Sequence, residues 1–139
     1  MRINNISTTN FDGKAKYLRG IKESEKKFAQ QILDFKVDKV SNREFLEGKN
    51  FNIGFYDSKK NPSSDTLFLS VPIRYLQECG SKIHGFEDSQ VHEINILSGV
   101  EEGAMALRKI IEKIDGDIAT RYPAQYNSWG QKIKLKRNM

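Results

Sequence analysis

Apolar and polar residues change period several times along this chain, and each change predicts an element. From about Lys16 to Phe35 the period is helical: Tyr17, Ile21, Phe28, Ile32 and Phe35 stand three, four or seven apart. Lys22, Glu23, Glu25, Lys26 and Lys27 fill the opposite face, where pairs such as Glu23 with Lys26 or Lys27 add about 0.2–0.5 kcal/mol each. Ser41 to Gly48 reads as one or two capped helical turns ending at the glycine. Strict alternation follows. Phe51, Ile53 and Phe55 against Asn52, Gly54 and Tyr56, then Leu67, Leu69 and Val71 against Thr66, Phe68 and Ser70, predict two strands. The segment between them, Asp57 to Asp65, carries Lys59, Lys60, Asn61 and Pro62 and reads as a hairpin loop.

Pro72 is expected to end the second strand or to open a short helix running to Gly80. Residues 81–90 show no decisive pattern. A third strand is expected over Gln90 to Leu97, with His92, Ile94 and Ile96 on one face. Ser98-Gly99-Val100-Glu101 matches a capping box, and behind it Val100, Ala104, Leu107, Ile111, Ile114 and Ile118 form a helical stripe. Gly116 weakens this helix near its end, and Pro123 stops it from continuing far. Finally, Lys132-Ile133-Lys134-Leu135-Lys136 alternates strictly, which predicts a half-buried strand over residues 131–137.

These elements predict an α+β fold in the order α-β-β-β-α-β. An antiparallel sheet of three to four strands would be packed on one face by the helices near 16–35 and 99–115. The expected core is Ile21, Phe28, Ile32, Phe35, Ile53, Phe55, Leu67, Leu69, Ile94, Ile96, Leu107, Ile111 and Ile114. Residues 1–14 read as an irregular or extended arm. Neither a repeat nor a Pro- or Ser-rich linker divides the chain, so residues 1–139 are expected to form a single domain.

Composition narrows the class. No stretch approaches the roughly 18–20 consecutive apolar residues of a membrane span. The first residues, Met1-Arg2-Ile3-Asn4-Asn5-Ile6, lack the apolar run of a secretory signal. A single cysteine, Cys79, cannot form an internal disulfide, which fits a reducing, cytoplasmic setting. Glycine-rich phosphate cradles are absent, and no cofactor is expected.

Charge changes the picture more. Residues 1–120 carry 18 Lys/Arg and 18 Asp/Glu, so that stretch is formally neutral. The entire net +5 comes from Arg121, Lys132, Lys134, Lys136 and Arg137, beyond the last acid, Asp117. The same tail holds Tyr122, Tyr126 and the sole tryptophan, Trp129. One reading makes the lysines of 132–136 the solvated side of a closing strand, where lysine also discourages edge-to-edge aggregation. The other makes them a row at about 6.5–7 Å spacing that tracks phosphates, with Trp129 or Tyr126 stacking on a base. The two are compatible, with Lys132, Lys134 and Lys136 sharing one side opposite Ile133 and Leu135.

Catalytic or metal chemistry has few candidates. Cys79, His84 and His92, with Glu87, Asp88 or Glu93, supply ligand types for zinc, yet the close sequence pairs of zinc sites are missing. Cys79 with His84 or His92 has the residue types of a nucleophile and base without a flanking signature, and Cys79 reads better as core filling. His84 and His92 could serve as base and acid in metal-independent RNA cleavage, with Lys82 or Lys109 steadying charge. His92 on an apolar strand face reads equally as a hydrogen-bonded structural histidine. Gly99 opens a helix, a natural anion site, but Glu101 and Glu102 in its first turn oppose a phosphate.

The order α-β-β-β-α resembles that of the double-stranded-RNA-binding domain, which grips phosphates with lysines at the start of its second helix. Here Glu101 and Glu102 stand at that place, reversing the sign. Separately, Met1, Arg2, Ile3, Asn4, Ile6, Asn10, Phe11, Gly13 and Lys14 resemble the beginnings of uncharacterised small proteins from uncultured gut bacteria, a resemblance that implies a bacterial source and no activity.

The expected function is therefore a non-enzymatic binding module. Lys132, Lys134, Lys136, Arg137, Trp129 and Tyr126, with Lys59 and Lys60, would contact an acidic partner, either nucleic acid or protein. A protein-interaction or regulatory domain and a histidine-pair ribonuclease are the alternatives. Pairing of an exposed edge strand with a second copy is a further possibility.

Overall fold

Residues 13–57 and 65–121 are the ones the computed structural model describes. The arm up to Asp12, Lys59 and Lys60, and the expected strand at 131–137 lie outside the described residues. In chain order the elements are β1 (Ala15–Tyr17), α1 (Glu23–Asp34), β2 (Lys36–Val37), β3 (Val40–Ser41), α2 (Asn42–Leu46), β4 (Ile53–Tyr56), β5 (Thr66–Cys79) and β6 (Lys82–Asn95). A 3-10 turn, Ile96–Ser98, then leads into α3 (Val100–Arg121). The fold is α+β: a four-stranded sheet in the order β1-β4-β5-β6, with β2 and β3 forming a separate hairpin.

The sheet is mixed, not antiparallel as expected, because the chain starts it before the first helix. Ala15–Tyr17 pairs in parallel with Ile53–Phe55. Tyr17 stacks on Phe55 at 6.1 Å between ring centroids, and Leu18 N donates to Phe55 O at 2.8 Å. The four-residue spacing of Tyr17 and Ile21 imitates a helical turn, but α1 begins only at Glu23. Its first turn is closed by Glu25, whose Oε1 accepts from Lys22 N at 3.1 Å. The short helix at 41–48 is capped as expected: Glu44 N donates to Ser41 Oγ and Ser41 N donates to Glu44 Oε1, each at 3.1 Å.

Pro72 neither ends β5 nor starts a helix. It pairs with Ser89 inside a ladder that runs unbroken from Thr66–Asn95 to Cys79–Lys82. A Gly80-Ser81 turn closes this hairpin, with Gly80 at φ +68, so the flanking Cys79–Lys82 pair exchanges both hydrogen bonds. Alternating from there, Pro72 faces its nitrogen away from β6, toward a side where the β4 ladder has already stopped at Ser70. No backbone donor is needed there, and the proline costs the ladder nothing. The expected third strand correspondingly starts at Lys82 and absorbs the undecided residues 82–90.

Two expectations about α3 are corrected as well. Ser98 does not cap it: Ser98 Oγ donates to Asn95 O at 2.7 Å in the 3-10 turn, and Gly99, at φ +93, turns the chain into the helix. The helix also passes through Gly116 to Arg121 instead of stopping near 115.

The core lies between one sheet face and the pair α1–α3. Ile53, Phe55, Leu67, Leu69, Val71, Ile73 and Ile94 meet Phe28, Ile32 and Leu33 of α1 and Leu107, Ile111 and Ile114 of α3. Ile21, Phe35 and Ile96 pack only partly buried against this cluster. The two helices approach closely at Gly103, where a Cβ would stand 2.8 Å from Phe28 Cζ. A polar knot fastens the small elements. Asn42, fully buried, donates through Nδ2 to Ile32 O at 3.0 Å and Ala104 O at 2.8 Å, and accepts from Arg108 Nε at 2.8 Å. Arg108 also donates to Val40 O at 2.6 Å and lies over the Phe45 ring at 4.2 Å. One carbonyl at the end of α1 is thereby satisfied, and β3, α2 and α3 are tied together.

Candidate functional site

The β5–β6 hairpin carries nearly all the chemistry-bearing residues that lie within the described residues. Its strands are 14 residues each, longer than the helix pair can cover. Odd-numbered residues of β5 and even-numbered residues of β6 share the helix side: Leu67 with Ile94, Leu69 with His92, Val71 with Gln90, Ile73 with Asp88, Tyr75 with Phe86, and Gln77 with His84. The apolar half of this face is buried, and the half toward the turn is not.

His92 and His84 are eight residues apart on one strand, roughly 26 Å at the rise of an extended chain. They do not meet, so the base-and-acid pair required for ribonuclease chemistry is not assembled. His92 is half-buried beside α3, and its Nε2 lies 3.0 Å from Gln90 Oε1. Gln90 Nε2 in turn donates to Asp117 Oδ2 at 3.0 Å, and Lys113 Nζ donates to the same oxygen at 3.1 Å. With the amide nitrogen committed to Asp117, the Gln90 oxygen must accept, which places a proton on His92 Nε2. Burial pushes the His92 pKa down, Lys113 lowers it further, and Asp117 opposes both. Asp117 is held below the usual carboxylate range by Gln90 first and Lys113 second. This chain of contacts links α3 to β6 through Asp117, Gln90 and His92.

His84 is exposed and tilts against Phe86, with ring centroids 6.5 Å apart; Phe86 stacks on Tyr75 at 5.7 Å. Cys79 fills no core gap. It is exposed at the hairpin turn, diagonal to His84, with its thiol 3.9 Å from Gln77 O. Glu87 and Glu93 point to the sheet face opposite His84 and His92, so the zinc candidates are divided between two faces. Among the described residues no three His, Cys, Asp or Glu side chains group around a common point. Asp88 lies on the helix-side face and Lys82 at the turn, while Lys109 is on an exposed side of α3 with Glu101, Glu102 and Met105. The first turn of α3 thus keeps its acids, as expected.

Away from the hairpin, Glu25 Oε2 and Asp57 Oδ1 are buried without a hydrogen-bond partner, and Lys22 Nζ stands 3.9 Å from Asp57 Oδ2.

The expected contact residues Tyr126, Trp129, Lys132, Lys134, Lys136 and Arg137, with Lys59 and Lys60, lie outside the described residues. Among the described cations, Arg43 pairs with Asp34 at 2.8 Å, Lys49 with Asp115 at 3.0 Å, Arg74 with Glu87 at 3.1 Å and Lys113 with Asp117 at 3.1 Å. No described helix is long and apolar enough to cross a membrane. No protein-family model, curated protein or solved structure matches this chain. Its order β-α-β-β-α-β-β-β-α also departs from the α-β-β-β-α order of the double-stranded-RNA-binding domain.

Proposed function

We propose that this protein is a non-enzymatic binding module whose C-terminal segment contacts nucleic acid. The observation that carries the reading is the division of charge. Residues 1–120 sum to zero, and Arg121, Lys132, Lys134, Lys136 and Arg137 hold the whole +5 beside Tyr126 and Trp129. Lys132, Lys134, Lys136 and Arg137 supply phosphate contacts, and Trp129 and Tyr126 offer ring faces for bases. Lys59 and Lys60 would extend the footprint.

Gel retardation with a mixed-sequence oligonucleotide tests this. The intact chain is expected to shift it, and a chain ending at residue 130 to leave it free while still folding. Retained binding by the shortened chain refutes the assignment. A protein partner is the second reading, favoured by Leu97 at 72% and Met105 at 46% exposure near Glu101 and Glu102.

A further inference from the structure

The face of α3 turned away from the core carries charges that nothing nearby matches. Glu102 and Lys109 are seven residues apart, so at 3.6 residues per turn they point within about 20° of each other, about 10.5 Å apart along the axis. They do not pair with each other, since only residues three and four apart are neighbours on a helix. Both are exposed, and among the described residues neither makes an ion pair, whereas Lys113 one turn on is held by Asp117 at 3.1 Å. Met105 and Ala106 lie between them, about 50° to either side of the line that joins them. Met105, 46% exposed, is the large apolar side chain that α3 shows to solvent, while Ala106 packs half-buried against the core. Together with Glu101 these four residues line a shallow hollow.

We infer that this face docks on the same face of a second copy of the chain, with the two α3 helices antiparallel. Charge selects both the occupant and the direction. A twofold axis between Met105 and Ala106, perpendicular to the helix, brings Glu102 level with the partner's Lys109 and Lys109 level with the partner's Glu102. The two Met105 side chains meet at the centre, and Ala106 is small enough to let the helices approach. Lys113 reaches past the start of the partner helix, where residues 96–99 carry no charge. A parallel pair would instead set glutamate against glutamate and lysine against lysine. The pattern is therefore self-complementary, as an isologous interface requires. From Glu101 to Lys113 the strip is about 18 Å long. That is too small to bury the roughly 1,200 Å² of a stable complex, so the dimer is weak and concentration-dependent.

Sedimentation equilibrium of the intact, nucleic-acid-free chain, from about 10 µM to about 1 mM, is the test. The chain is expected to move from monomer toward dimer across that range. Glu102→Lys and Lys109→Glu should each weaken the dimer about tenfold or more, because two symmetry-related attractions become repulsions at once. Both positions are exposed, so each variant should keep the helical circular dichroism of the parent. An equal mixture of the two variants should recover the dimer, since every cross-contact is again between opposite charges. The double variant Glu102→Lys with Lys109→Glu should recover it for the same reason. An intact chain that stays monomeric throughout overturns the inference. So does a dimer that both single variants leave unchanged, or a mixture that associates no better than its components. The contact uses none of the cations beyond residue 120, so its failure and that of nucleic-acid binding are read separately.

Discussion

Replacing Asn42 with alanine should be among the most damaging single changes available outside the apolar core. The side chain is fully buried and makes three hydrogen bonds, two to backbone carbonyls and one from Arg108 Nε. A neutral bond contributes about 0.5–1.5 kcal/mol and one to a charged group about 1.5–3, so the gross loss is roughly 3–6 kcal/mol. Arg108 keeps Val40 O and the Phe45 ring, which recovers part of this, and a net cost of about 3 kcal/mol remains. Urea unfolding measures it. With a slope near ~2 kcal/mol per molar, the midpoint should fall by about 1.5 M. The double variant Asn42→Ala with Arg108→Met should cost at least about 1 kcal/mol less than the two single costs added, because the stranded charge goes with its partner. A single-variant loss below about 1 kcal/mol, or strict additivity, would show that the knot does not hold α2 and the β2–β3 hairpin against α3.

Two other perturbations have defined signs. Gly116→Ala should stabilise the protein by about 0.5–1 kcal/mol in thermal or urea unfolding, since the position is helical and exposed, with no atom within 4 Å of the added Cβ. A loss instead would mean that α3 does not run unbroken through 116. His92 has its pKa lowered by burial and then by Lys113, so the unfolded chain takes up this proton first as pH falls. Stability is full above the ordinary histidine value and declines as pH drops from about 7 toward the lower folded value. The change His92→Gln should flatten that decline between pH 7 and 5, and an unaltered profile would contradict the buried placement.

Alternation and the 3.6-residue period were sufficient for the core, because Ile53, Phe55, Leu67, Leu69, Leu107 and Ile111 report burial directly through their spacing. The parts that escaped depend on partners distant in sequence. Ala15–Tyr17 is a strand only by pairing with residues 53–55, and three residues are too few to show a period of two. For residues 73–79, Pro72 admits two readings, the end of a strand or the start of a short helix. Only the ladder to residues 82–88 makes them a strand, and a proline is tolerated there only because its nitrogen faces the side beyond β4. Ser98 and Gly99 competed for the start of α3, and the positive φ taken by Gly99 decided against the serine. At the candidate site, the one-strand placement of His84 and His92 was invisible because residues 81–90 carry one large apolar residue on each face, Ile83 and Phe86, and so show no alternation. A projecting hairpin has no core side to impose alternation there.

The salt dependence of nucleic-acid binding tests the functional account most directly. Four cations, Lys132, Lys134, Lys136 and Arg137, lie beyond residue 130. On duplex DNA they should make the slope of log affinity against log salt steeper by about 3–4 than that of a chain ending at residue 130. Equal slopes for the two chains would mean that these cations touch no phosphate, and would contradict the account.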